Sequence, residues 1–133
     1  MTEPPGKRPM RAALLDITGP GRAPGPAATD PVARARALAP LIAAAAPRIE
    51  AERRLTPEVL ETLHGAALFR TLLPRAFGGE EARPATFVRM LEVVAAADAS
   101  TAWCLGQASG CSMAAAYMEP AVAREIWGQD PRA

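Results

Sequence analysis

The chain has 133 residues, 50% of them apolar and 22% charged, with a formal net charge of +1. That is one domain's worth of sequence with enough apolar content to bury a core, so a disordered polymer is excluded. The near-neutral balance leaves no electrostatic footprint for nucleic acid or an anionic membrane, and no apolar run approaches the ~20 residues of a bilayer span.

Alanine supplies 31 of the 133 residues, whereas aromatics make up 5%. Alanine loses no side-chain entropy in a helix, and strands draw on β-branched and aromatic residues, so composition alone favours an all-α fold. Residues 1–29 read as a Pro/Gly-rich flexible arm. The first thirty positions hold six Pro and four Gly, which fix φ, remove donors and raise the entropic cost of ordering. The one apolar patch there, Met10 to Ile17, reads as loose tail, as a short strand or as the trace of a second start codon.

From Asp30 the pattern becomes helical. Asp30-Pro31 pairs an N-cap residue with an N1 proline, and Leu38, Leu41, Ile42, Ala45 and Ile49 form one stripe. Pro40 and Pro47 interrupt it, and each removes a backbone hydrogen bond, so a kink or break is expected. Thr56-Pro57-Glu58 starts a second helix with Val59, Leu60, Leu63 and Ala67 inward, ending near Gly65. Leu68 to Pro74 is too short for a helix and reads as extended or turn-like. Arg75 to Gly79 is the strongest breaker. Pro84 to Ala97 is a third helix with Phe87, Val88, Leu91, Val94 and Ala95 inward. Asp98 or Ser100 caps a fourth that runs to about Met118, and Ala121 to Trp127 forms a short fifth.

Little in the sequence points to self-contained chemistry. His64 is the sole histidine, which excludes a histidine-based metal site within one chain, and it sits where a helix C-terminus favours positive charge. Cys104 and Cys111 are seven apart on one helix, ~10 Å at 1.5 Å per residue, too far for a disulfide. They read as small core residues. Gly78-Gly79 lacks the lysine and the strand of a phosphate loop. The fourth helix, by contrast, carries no charge over residues 100–118. A helix that is apolar or small all round is expected to be buried on most sides. Trp103 and Gln107 share a face at i, i+4. They read either as packed core or as the wall of a ligand cavity.

In order along the chain stand Arg54-Leu55-Thr56-Pro57-Glu58, Leu68-Phe69-Arg70 and Leu73-Pro74-Arg75-Ala76-Phe77-Gly78-Gly79. Thr86-Phe87 and Ala97-Asp98-Ala99-Ser100-Thr101-Ala102-Trp103 follow. This series resembles the N-terminal helical domain of the acyl-CoA dehydrogenase superfamily over roughly residues 30–133. Its Leu-Phe-Arg and Ser-Thr-Ala-Trp versions lie closest to the flavin-dependent hydroxylase branch.

The resemblance implies a four- to five-helix substrate-side domain of a homo-oligomeric flavin-dependent oxidoreductase, and the lack of a signal-peptide block over Met1 to Arg11 sets a cytoplasmic protein as the expectation. The family's middle β-domain and C-terminal helical bundle are absent from this sequence, so a fragment or truncated chain is expected. No catalytic residue carries over. What carries over is a substrate- or flavin-side wall of Phe77, Gly78, Gly79, Trp103 and Gln107. The family uses FAD or reduced FMN, and this chain alone is not expected to bind either tightly. Expected partners are the missing domains or other subunits, and a flavin reductase if the branch is the hydroxylase one. The rival reading from another class is a non-catalytic helical interaction module.

Overall fold

The computed structural model describes residues 30–133. The flexible arm expected over residues 1–29 lies outside the described residues. Five α-helices and three 3-10 turns make up the body, with no strand among the described residues, so the fold is all-α. The helices are α1 (Pro31–Glu52), α2 (Pro57–Gly65), α3 (Pro84–Ala97), α4 (Ala99–Ser112) and α5 (Pro120–Trp127).

α1 runs as one helix through Pro40 and Pro47, so the break that these prolines could have made does not occur. Each proline leaves the carbonyl four residues earlier without an N–H partner. Those carbonyls belong to Arg36 and Ala43, and both residues are exposed, as are the prolines themselves. Exposure leaves these carbonyls open to solvent. Meanwhile Ile42 and Ile49 are buried, and the stripe lies against α3. Arg53, in the left-handed region at φ 52°, ends the helix.

The Thr56 hydroxyl accepts from the Val59 amide at 3.3 Å and caps α2, whose Val59 and Leu63 are fully buried. After Ala67, left-handed at φ 55°, the segment expected to be extended or turn-like makes a 3-10 turn over Leu68–Arg70. The chain then doubles back: the amides of Glu80, Glu81 and Ala82 donate to the carbonyls of Arg70, Leu73 and Thr71. A second 3-10 turn, Arg75–Phe77, sits at the bend.

α3 keeps its expected bounds but not its whole expected inner face. Met90 and Val94 are buried, with Phe87 and Leu91 packed beside them. Val88 is 51% exposed and Ala95 is exposed too, because these two stand seven apart on the flank away from α1 and α4. The Asp98 carboxylate accepts from the Thr101 amide at 2.6 Å and opens α4 with no loop between the helices. α4 stops at Ser112, short of the expected Met118, and tightens into a 3-10 turn over Met113–Tyr117.

Two apolar clusters result. The larger is built from α1, α2, α3 and the first half of α4, around Ile42, Leu63, Leu68, Met90 and Leu105. The smaller joins Leu73, Phe77, Ala115 and Ala123, with Met118 and Trp127 against it. No described helix is long and apolar enough to cross a membrane.

Candidate functional site

The wall residues expected from the sequence fall into two places. Phe77 is buried in the smaller cluster, against Leu73 and Ala115, which lies beyond the C-terminal end of α4. Trp103 stands in the first turns of α4, nine residues before Ser112, or ~14 Å along the axis. The structure therefore does not bring Phe77 and Trp103 together.

The turn is held from both sides. Gly78 is left-handed at φ 85°, a conformation that costs a side chain and costs glycine nothing. A Cβ on Gly79 would lie 1.9 Å from the Leu73 carbonyl oxygen, so the close return of the chain requires glycine there. Arg34 of α1 ion-pairs with Glu80 and donates to the Ala66 carbonyl at 2.8 Å. On the other side stands Arg70, 8% exposed. Its Nη2 donates to the carbonyls of Phe77 (2.7 Å) and Trp127 (2.8 Å). Its Nη1 reaches Asp130 (2.9 Å) and Ala133 (3.4 Å), and its Nε reaches Gly78 (3.4 Å). All five N–H groups of the guanidinium thus meet backbone carbonyls, and burial pushes its pKa down from the ordinary value. Sequence reasoning quoted Leu68-Phe69-Arg70 as a motif and missed this role. The available signal was a lone cation inside an apolar run.

The Gly-Gly turn does not fit a flavin pyrophosphate. The Gly78 amide donates to the Arg75 carbonyl and the Gly79 amide to the Pro74 carbonyl, so neither is free to meet an anion. Among the described residues no cluster of His, Cys, Asp and Glu would hold a metal ion.

α4 is half buried, not buried on most sides. Thr101, Leu105, Ser109 and Ser112 face inward. Ser109 donates to the carbonyls of Leu68 and Phe69, each at 3.4 Å, and ties the helix to the turn after α2. The opposite face is open. Trp103 is 70% exposed, and Cys104, Gln107, Ala108 and Cys111 are exposed along the same helix. The two cysteines are therefore free surface thiols, not core residues. Tyr117, 87% exposed, continues this uncharged surface past the helix end. A lack of charge marks an inner face in a domain read alone, but a face that meets other protein has the same composition.

Beside it lies an open cleft of about 230 Å³, lined by Leu60, His64, Phe69, Ser112, Trp127 and Arg132 among others. The His64 and Phe69 rings are 4.6 Å apart and tilted by 39°. Burial, then the neighbouring Arg132 cation, lowers the His64 pKa below its ordinary value of 6.5, against the smaller pull of Glu61 and Asp130. Arg132 forms a two-pronged pair with Glu61, at 2.7 and 2.6 Å, which holds that carboxyl below the usual range.

No family model matches the chain, and no solved structure matches it. Named relatives do. The chain is 32% identical over 115 residues to the oxygenase component of an FADH2-dependent resorcinol hydroxylase from Rhizobium sp. (strain MTP-10005), covering 84% of this chain and 28% of that protein. It is 33% identical over 85 residues to a pigment production hydroxylase from Rhodococcus erythropolis, covering 62% and 22%. It is 31% identical over 80 residues to an indole-3-acetate monooxygenase from Pseudomonas putida, covering 60% and 20%. The chain thus spans between a fifth and under a third of the length of these curated relatives. At low identity and over part of its length, it is similar to hydroxylases and monooxygenases, one of them FADH2-dependent.

Proposed function

We propose that this chain is the substrate-side helical domain of the oxygenase component of a flavin-dependent hydroxylase, in the acyl-CoA dehydrogenase superfamily that its motifs resemble. The observation that carries the reading is the match to the FADH2-dependent resorcinol hydroxylase along 84% of the chain. The three relatives described are all hydroxylases or monooxygenases by name, which favours the oxygen-using branch over acyl thioester oxidation. Resorcinol and indole-3-acetate are the substrates in two of those names, so an electron-rich aromatic ring is the proposed substrate class.

The open, uncharged face of α4 supports a domain that works docked against more protein. Trp103 offers a broad apolar surface with one donor, and Gln107 a donor and an acceptor, so this face would meet the substrate-bearing side of the enzyme. The flavin, FAD in this reading, is held elsewhere and supplies the redox chemistry. The chain's part is orientation and exclusion of water. A separate flavin reductase would deliver the reduced cofactor, in a cytoplasmic homo-oligomer.

The test uses the protein that carries this chain, supplied with FAD, a flavin reductase, NADH and oxygen. A phenol or indole that gains one oxygen atom, with oxygen uptake, is the expected result. Oxidation of an acyl thioester across Cα–Cβ would move the reading to the dehydrogenase branch. A colourless protein with neither activity would favour the interaction module.

A further inference from the structure

Residues 128–133 are all exposed and follow the end of α5, so little apolar burial holds them in place. Yet Arg132 and Ala133 of this segment, with Trp127, line the cleft beside His64 and Phe69. What ties it down is polar. Arg70 takes the carbonyls of Trp127, Asp130 and Ala133, and Arg132 pairs with Glu61 of α2. The same guanidinium takes the carbonyls of Phe77 and Gly78.

We propose that residues 127–133 are a strap over the cleft, latched by Arg70 to the Phe77-Gly78 turn, and that strap and turn open as one unit. The Arg70 guanidinium pairs with no Asp or Glu side chain and stays buried because main-chain oxygens of five residues solvate it. If the strap leaves, the groups on both terminal nitrogens lose partners and only the Nε–H and one Nη2–H stay bonded. A buried cation left so poorly solvated is costly, so it follows the strap toward water. The Phe77 and Gly78 carbonyls then lose their donor in turn. Opening also uncovers the His64 and Phe69 rings. The device is internal to this chain and requires no flavin.

Native-state hydrogen exchange on the 133-residue chain tests it. In the unmodified protein, the hydrogen-bonded amides of Gly78, Gly79, Gly128, Arg132 and Ala133 should share one opening event, below the global unfolding of α1 and α3. Arg70→Met should speed exchange in both segments about tenfold or more, leaving α1 and α3 unchanged, since charge-assisted bonds are the stronger kind. Arg70→Lys, which keeps the charge but has three donors, should fall between. Exchange that speeds up in one segment while the other stays protected overturns the latch. So does no change in either. If Arg70→Met fails to fold, the unmodified protein decides alone: separate opening of the two segments, or opening only on global unfolding, overturns the proposal.

Discussion

Gly79 lies so close to Leu73 that a Cβ on it would fall 1.9 Å from the Leu73 carbonyl oxygen and 2.5 Å from the Leu73 Cβ. Leu73 is fully buried, so it has no room to move aside. Gly79→Ala should therefore cost about 3 kcal/mol or more, the upper end of overpacking penalties. Gly110, inside α4 with nothing within 4 Å of its would-be Cβ, is the control. Gly110→Ala should stabilise by up to about 1 kcal/mol, the helix-propensity difference. Urea melts of both variants check the pair, and equal effects would contradict the packing described here.

Trp103 and Leu105 are two residues apart on α4, with opposite fates: one is 70% exposed, the other fully buried. Trp103→Ala should shift the stability of this chain by no more than about 0.5 kcal/mol. Leu105→Ala should cost about 2–5 kcal/mol. In the protein that carries this chain, Trp103→Ala should weaken substrate binding or domain docking while leaving the helical content unchanged. Thermal melts of the two variants are the first check.

The helix starts were legible because their signals are local. Thr56-Pro57 and Asp98 act within three residues of themselves, and the Thr56 and Asp98 side chains cap α2 and α4. The course of α1 was not, since whether Pro40 breaks a helix depends on whether water reaches the freed carbonyl. Burial of the uncharged α4 was misjudged for a similar reason. A periodic apolar pattern shows which residues avoid water, yet Cys104, Ala108 and Cys111 carry no mark of which protein covers them. Arg70 was invisible as a hub because its partners are backbone carbonyls, which every sequence has.

Loss of the Asp98 carboxylate should cost α4 its only side-chain cap. Asp98→Ala removes the acceptor for the Thr101 amide, now at 2.6 Å. Thr101 is fully buried, so water cannot readily replace the bond. The expected penalty is about 1–2 kcal/mol, with Asp98→Asn or Asp98→Ser recovering most of it. Denaturant midpoints of the three variants read this directly.

His64 makes stability depend on pH in a defined direction. Its folded pKa lies below the ordinary 6.5 because burial disfavours the imidazolium and Arg132 repels it. As pH falls through 6.5, the unfolded chain takes up the proton first, so the folded state loses stability. The contribution is fully present above pH 6.5, declines below it, and levels off beneath the folded pKa. Urea melts between pH 8 and 5 should show the decline, and His64→Gln should flatten that part of it. Arg132→Ala should move the His64 proton-NMR titration back toward 6.5. A titration midpoint above 6.5 in the unmodified chain would contradict the burial.

Cys104 and Cys111 turn the open face of α4 into a footprint. Both thiols are free and exposed, and no charged residue stands between them. In this chain alone, both should react with a thiol reagent in the native state as fast as in the unfolded state. In the larger oxygenase of the proposed reading, other protein would cover that face and both thiols should be protected together. Mass spectrometry after a short alkylation pulse, with and without denaturant, reads each site separately. Slow labelling in the isolated chain would mean that a second copy covers the face, and raising dilution would then restore the rate. Fast labelling of both thiols in the larger protein would leave α4 facing solvent there too. Trp103 and Gln107, on the same helix, would then have no place in a substrate wall.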